Sequence, residues 1–64
     1  MTAIHRDSSV LEASRVMREC DAAEVLVASD GGPLGVLTAR DIVVRVLAVG
    51  LDPAVLTAGD IVTD

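Results

Sequence analysis

The order of apolar runs and helix-start signals predicts a small α+β domain with the element order β-α-β-β-α. Three observations carry this prediction: a capping box at Ser9 and Glu12, two β-branched runs joined by a glycine-containing loop, and a second helix start at Thr38. A strand, a crossover helix and a second strand form a right-handed parallel unit, and a hairpin then adds an antiparallel strand. We therefore expect a three-stranded mixed sheet packed against two helices.

The first helix carries the strongest local signal. A short strand at Thr2–His5 precedes it, and the Ser9 hydroxyl and Glu12 carboxylate reciprocally bond backbone amides at its start. We predict a helix over Val10–Cys20 and expect Cys20 to be a small buried hydrophobe. The apolar residues on one face of this helix are Val10, Ala13, Val16, Met17 and Cys20.

The middle of the chain predicts an antiparallel hairpin. Glu24–Ala28 is an apolar run rich in valine and short enough for a buried strand, and Leu34–Leu37 is a second such run. The segment Ser29–Pro33 between them has the glycine and proline content of a turn.

The second helix begins at Thr38, its predicted N-cap, and extends to about Val49 before Gly50. Its apolar residues cover well over half of its circumference: Ile42, Val43, Val46, Leu47 and Val49. Such a helix is buried on two sides. Because a domain this small has no further element to cover the second side, we predict an interface there.

Composition limits the function classes. The chain has 64 residues, 52% hydrophobic residues, no aromatic residue and a net charge of −5. A small core needs a disulfide, a metal or a partner subunit. One cysteine and one histidine build neither of the first two, so we expect a partner and no metal site. The acidic balance argues against binding to nucleic acid or an anionic membrane, and the free cysteine suits a reducing cytoplasm.

The segment from Gly35 to Asp41 is the candidate site, because it crosses from a strand end to a helix start. Anions bind at such junctions, where Thr38 would supply a hydroxyl, Arg40 a cation and Asp41 an acceptor for ribose hydroxyls. The alternative is that Thr38 and Asp41, which have capping-box spacing, only cap the helix.

One segment of the sequence is repeated. Residues 36–43 recur at 55–62 with seven of eight positions identical, Arg40 being replaced by Gly59. We interpret both copies as strand-to-helix entries with a Thr-x-x-Asp cap rather than as a repeat architecture.

The order of elements and these motifs resemble a CBS domain, a regulatory module that usually occurs in tandem pairs and binds adenosine nucleotides. The resemblance covers almost the whole chain, and Gly-x-x-Thr-x-x-Asp (Gly35, Thr38, Asp41) is its most specific part. The matching segments are Asp7–Ala13, Val16–Glu19, Glu24–Val27, Gly32–Ile42 and Ala48–Pro53.

The resemblance implies a site for AMP, ADP, ATP or a related adenosine ligand. Asp41 matches the family's ribose-binding aspartate, Thr38 the hydroxyl residue beside ribose and phosphate, and Arg40 lies within reach of phosphates. The residues matching the base pocket are Thr2, Ala3, Ile4, Ala23, Glu24 and Val25. This pocket would be aliphatic, because the chain has no aromatic side chain to stack on adenine.

The chain holds one module, residues 1–53, and residues 54–64 resemble the lead-in to a second. The chain is either a fragment of a longer protein with a second CBS module or a single module that pairs with a copy of itself. We expect a homodimer that mimics the tandem pair, with the ligand in the cleft between modules. Its predicted contacts are Ile42, Arg45, Val46 and Val49. The alternative is an association module without a ligand. We do not expect an enzyme, since Cys20 and His5 are the only nucleophile and base candidates and nothing in the sequence pairs them.

Overall fold

The computed structural model describes residues 1–62 and contains the predicted three-stranded mixed sheet. Its strands are β1 (Ala3–His5), β2 (Glu24–Ser29) and β3 (Gly32–Thr38), in the spatial order β1-β2-β3. Strand β1 runs parallel to β2, and β3 runs antiparallel to β2. The predicted α+β fold is thus confirmed. Residues 63 and 64, which end the predicted 54–64 segment, lie outside the described residues.

Helix α1 spans Val10–Cys20, as predicted, and the Ser9 hydroxyl accepts the Glu12 N–H at 3.0 Å. The helix ends at Asp21, which adopts a left-handed φ of 51°. Its buried stripe is Val10, Ala13 and Met17. The expectation that Cys20 is buried was wrong, because this last helical residue, next to the turn at Asp21, is exposed.

The two faces of the sheet differ in their surroundings. Val25, Val27 and Leu37 are fully buried and pack in one core with residues from every helix. Successive strand residues alternate between faces, so Leu26 and its partner Val36 point the other way and are half-buried. We call this second side the open sheet face, since within residues 1–62 the helices contribute to the core on the first side.

The predicted second helix has two parts. It begins as α2 (Ala39–Ile42), capped by Thr38, and continues as a π-helical segment (Val43–Leu47) in which the Ala48 N–H bonds the Val43 carbonyl at 2.9 Å. The Leu51 N–H reaches back to the Val46 carbonyl at the helix end, where Gly50 adopts a φ of 80°. This φ suits glycine at a helix C-terminus, as predicted.

Residues after the second helix pack back on the same core. A short helix, α3 (Ala58–Ile61), follows Thr57, and both of its end residues are buried in the core cluster. The Ala58 N–H bonds the Ser8 carbonyl at 2.7 Å, and Thr57 pairs with Ser9 in an isolated β-bridge. The described part of the segment after residue 53 therefore contributes to the stability of this core, and its role as a lead-in stays a prediction.

Among residues 1–62, no helix combines the length and the apolarity that crossing a bilayer requires.

Candidate functional site

The strand directions bring several predicted ligand residues to one end of the sheet. Because β1 is parallel to β2 and β3 is antiparallel to it, the starts of β1 and β2 meet the end of β3. Glu24 pairs with Thr38, Ala3 pairs with Leu26, and the Ala39 N–H bonds the Ala23 carbonyl at 2.8 Å. This sheet end is also where α2 begins.

Thr38 and Asp41 form a complete capping box at this end. The Asp41 N–H donates to the Thr38 hydroxyl and the Thr38 N–H donates to Asp41 Oδ2, both at 3.0 Å. The Thr38 N–H is the main cause that holds the pKa of Asp41 below its usual range, and Arg45 and Arg40 act in the same direction against partial burial. The carboxylate is therefore anionic near neutral pH. It has about four lone-pair sites, more than the cap uses.

The predicted pocket residues divide by exposure. Ala3, Ala23, Glu24 and Arg40 are exposed at the sheet end, beside the half-buried Thr38. Two other predicted residues point inward. Val25 is fully buried and is not accessible, and Ile4 packs against the core and is only partly exposed.

Gly35 lies apart from the sheet end. Gly35 pairs with Val27 of β2. It precedes Thr38 by three residues, which places it roughly 10 Å from Thr38 along β3. The sequence analysis did not single out Leu26, which lies on the open sheet face next to Ala3. The alternation of side-chain direction along β2 could have identified Leu26, because Val25 and Val27 point inward and the residue between them must point outward.

The predicted dimer contacts also fall into a buried group and an exposed group. Ile42 is 6% exposed and Val46 is fully buried in the core of the same chain, so neither can present a ridge to a second copy. Val49 is exposed, and Arg45 donates from Nη1 to the Ile61 carbonyl at 2.6 Å. The exposed apolar residues of this helix are instead Val43, Val44 and Leu47. The apolar residues of this helix thus divide into a buried stripe that includes Ile42 and Val46 and an exposed side, and a dimer interface on the exposed side stays a prediction.

The second copy of the repeated segment has the same local geometry. The Asp60 N–H donates to the Thr57 hydroxyl at 3.2 Å, and the Thr57 N–H donates to Asp60 Oδ2 at 3.0 Å. Its surroundings differ, because Gly59 lies against Arg6: a Cβ there would be 3.1 Å from both the Arg6 Cβ and its carbonyl oxygen. The Gly59 N–H bonds that same carbonyl at 2.9 Å. A larger residue at this one differing position would therefore crowd Arg6.

The remaining candidates are spread over the surface. His5 is exposed, with Nε2 3.3 Å from Asp30 Oδ1 and Nδ1 accepting the Asp7 N–H at 3.1 Å. Cys20 Sγ lies 3.6 Å from the Thr2 hydroxyl, which donates to it. Within residues 1–62, no group of three or more histidine, cysteine, aspartate or glutamate side chains is arranged to hold a metal ion.

The order and geometry of these elements agree with a family comparison. The model of the CBS domain family matches residues 1–48, three quarters of the chain. The chain belongs to the CBS domain family. CBS domains are in general regulatory or ligand-binding modules.

Two relatives place this domain among larger proteins. Hypoxic response protein 1 of Mycobacterium tuberculosis is 38% identical over 65 residues, which cover all of this chain and 46% of that protein. A crystal structure of hypoxic response protein I, described with two coordinated zinc ions, superimposes with a TM-score of 0.90 at 36% identity, over 97% of this chain and 52% of that one. The chain therefore spans about half the length of these relatives.

A second similar structure is a hexamer. The hexameric CBS-CP12 protein from bloom-forming cyanobacteria is 27% identical, with a TM-score of 0.89 over 100% of this chain and 38% of that one. One protein that contains a similar domain thus forms a hexamer.

Proposed function

We propose that this CBS domain binds an adenine nucleotide at the sheet end formed by Ala3, Glu24 and Thr38, with Asp41 accepting hydrogen bonds from the ribose. The observation that carries the proposal is the anionic, half-buried Asp41 carboxylate beside an exposed arginine, Arg40, where three strand ends meet. A ribose presents two hydroxyl donors, and a carboxylate whose cap leaves acceptor sites open can receive them.

The charge distribution favours a ligand with few phosphates. The chain carries −5 overall, and Glu24 adds an exposed carboxyl group at the same sheet end. Arg40 supplies one cation there. We therefore propose AMP or adenosine in preference to ADP or ATP, because each further phosphate adds negative charge to a site that already holds the carboxylates of Glu24 and Asp41.

We propose self-association as the second part of this function. The open sheet face presents the half-buried pair Leu26 and Val36, and Ala3 links this face to the sheet end. A second copy on this face would bury that apolar surface and form a cleft next to Thr38 and Asp41. The hexameric relative supports association between such domains.

An association module without a ligand is the second candidate. The observation that favours it is the segment at Thr57 and Asp60, where the same four hydrogen-bonding groups cap a helix that lies against Arg6 and Ser8. Capping by itself is therefore a sufficient reason for a Thr-x-x-Asp segment in this chain.

A thermal-shift screen separates the two candidates. AMP, ADP, ATP, NAD and S-adenosylmethionine are each added to the wild type, to Asp41→Ala and to the matched control Asp60→Ala. Ligand at a hundredfold excess over Kd adds about 2.7 kcal/mol to the free energy of unfolding. We expect AMP to raise the Tm of the wild type and of Asp60→Ala, and to leave Asp41→Ala unchanged.

The absence of any nucleotide shift in the wild type would favour the association module. A shift that persists in Asp41→Ala would contradict the assigned site. An added dye reports unfolding, since the chain has no tryptophan or tyrosine. Cys20 is an exposed free thiol, which suits the reducing cytoplasm we expect, so every buffer contains a reductant.

A further inference from the structure

Arg45 connects the second helix to α3. Its Nη1 donates to the Ile61 carbonyl at 2.6 Å, in a partly buried hydrogen bond between residues 16 positions apart in sequence. Ile61 is the last residue of α3, and the final carbonyls of a helix have no partner within that helix. The guanidinium therefore satisfies a group that α3 leaves open, and its charge makes the bond stronger than a neutral one.

The same arginine acts on the candidate nucleotide site. Arg45 follows Asp41 by four residues, a spacing at which two side chains of one helix are neighbours. The Thr38 backbone N–H contributes most to lowering the pKa of Asp41, and of the two arginines that add to it, Arg45 has a larger effect than Arg40. The cation held at α3 is therefore the stronger of the two arginines that act on the carboxylate we assign to the ribose.

Buried side chains fix the place of Arg45 against α3. Ile42 and Val46, which lie on either side of Arg45 in sequence, belong to the same core cluster as Ala58 and Ile61 of α3. Arg45 itself lies in the π-helical segment, and such segments occur frequently at functional sites. Because a free arginine side chain has many rotamers, docking of α3 restricts the positions that the guanidinium can take.

Stabilisation of α3 alone is the simpler role for Arg45, since a cation near the last carbonyls of a helix is favourable. That role would leave the nucleotide site unaffected, whereas the effect of Arg45 on Asp41 links the two. The family match does not supply this link, because the CBS domain model ends at residue 48 and α3 begins at Ala58.

We propose that Arg45 is a positioning residue that couples the docking of α3 to the binding of an anionic nucleotide at Asp41. This inference rests on the proposed function, because it takes that site as the place where the nucleotide binds. With α3 docked, the guanidinium is held in advance where its charge favours a phosphate, so binding costs less ordering. The coupling is reciprocal, so a nucleotide that prefers the docked form also stabilises the docking of α3 by the same factor.

Adenosine separates this coupling from recognition of the ribose. AMP and adenosine have the same base and the same ribose hydroxyls, and only AMP carries a phosphate. Because Arg45 acts through its charge, it contributes more to the binding of AMP than to the binding of neutral adenosine. A role confined to stabilising the fold would affect both ligands alike.

Isothermal titration calorimetry with AMP and with adenosine tests the coupling in the wild type and four variants. Arg45→Met removes the charge and keeps an aliphatic side chain, and Arg45→Lys keeps the charge. Gly59→Ala crowds α3 against Arg6 and leaves Arg45 and Asp41 unchanged. Gly31→Ala, in the hairpin turn, is its matched control, because an added methyl there meets no atom closer than 3.8 Å.

Hydrogen exchange measures the docking of α3 directly. The Ala58 N–H bonds the Ser8 carbonyl at 2.7 Å, so this amide is protected while α3 is docked. Exchange is followed in the wild type and in Arg45→Met, each with and without AMP, and circular dichroism confirms the fold of every variant. The wild-type comparison remains decisive if a variant fails to fold.

We expect Arg45→Met to bind AMP about tenfold more weakly than the wild type and adenosine within about twofold of it. Arg45→Lys recovers part of the AMP affinity, Gly59→Ala lowers it, and Gly31→Ala leaves it unchanged. AMP slows the exchange of the Ala58 amide in the wild type and leaves it unaltered in Arg45→Met.

Equal AMP affinity of the wild type and Arg45→Met overturns this inference and leaves the proposed function in place. The same holds if AMP does not slow exchange of the Ala58 amide in the wild type. An equal loss of AMP and adenosine affinity in Arg45→Met also overturns it, because Arg45 would then only stabilise the fold. If neither ligand binds the wild type, the proposed function fails and this inference fails with it.

Discussion

The two copies of the repeated segment, residues 36–43 and 55–62, have the same hydrogen-bonded caps and different surroundings. In the first copy the cap opens α2 at the sheet end, with Arg40 exposed beside it. In the second, Gly59 lies against Arg6, where an added Cβ would be 3.1 Å from the Arg6 carbonyl oxygen. The Thr-x-x-Asp segment therefore directs local structure in both copies. Any binding function must therefore come from what surrounds the first copy.

The largest expected loss in the free energy of unfolding comes from truncating the buried isoleucines that follow the two aspartates. Ile42 and Ile61 are each 6% exposed and belong to one core cluster. Because truncation of a buried isoleucine costs about 2–5 kcal/mol, we expect Ile42→Ala and Ile61→Ala to destabilise the domain to a similar degree. Urea unfolding followed by circular dichroism measures the cost.

The control for this pair is Val55→Ala, which truncates a side chain that is 75% exposed. We expect it to change the free energy of unfolding by less than about 0.5 kcal/mol. If Ile61→Ala were equally mild, residues 55–62 would be a linker that contributes nothing to the core, and the similarity between the copies would end at the cap.

A smaller loss of stability is expected from a substitution at position 59, where the two copies differ. Gly59→Ala would place a methyl group 3.1 Å from the Arg6 carbonyl oxygen, which already accepts the Gly59 N–H. We expect a loss of about 1–2 kcal/mol from this crowding, although alanine has the better helix propensity. Gly31→Ala is the matched control, because the atom nearest to an added methyl there is 3.8 Å away. Equal stability of wild type and Gly59→Ala would remove the steric reason for the glycine.

The smallest expected effect is a pH dependence of the stability, to which the aspartates of both copies contribute. The pKa values of Asp41 and Asp60 are both lowered, chiefly by the backbone N–H of Thr38 and Thr57 respectively. A lowered folded-state pKa means that each group stabilises the fold fully above its unfolded pKa of about 3.9, and that this stability is lost as the pH falls through the folded value.

We therefore expect the wild type to lose stability below about pH 4, and Asp41→Asn and Asp60→Asn each to weaken that dependence. Urea midpoints measured at a series of pH values report the change. A pH dependence that neither substitution alters would show that the caps do not supply it.

The sequence was sufficient to predict the strands, α1 and the cap at Thr38, because alternation, capping-box spacing and turn residues act locally. It did not distinguish the core stripe of the second helix, since valine, isoleucine and leucine occur all around it and only tertiary packing selects Ile42 and Val46. The π-helical segment Val43–Leu47 had no signal in the sequence.

The candidate site was predictable only in part. Thr38, Ala3 and Glu24 meet at one sheet end because strand direction follows from the element order. The inward orientation of Val25 and Ile4 depends on which face the helices cover, which a short apolar run does not specify. The packing of α3 was missed, although its Thr-x-x-Asp segment was visible.

We propose that the first copy of the segment binds AMP and that the second only caps a helix. The most direct test is a titration of ¹⁵N-labelled protein with AMP, followed by amide chemical shifts. We predict perturbations that cluster at residues 2–4, 23–25 and 38–41 and leave residues 57–60 unchanged. Equal perturbation of the two copies, or none at either, would contradict the claim.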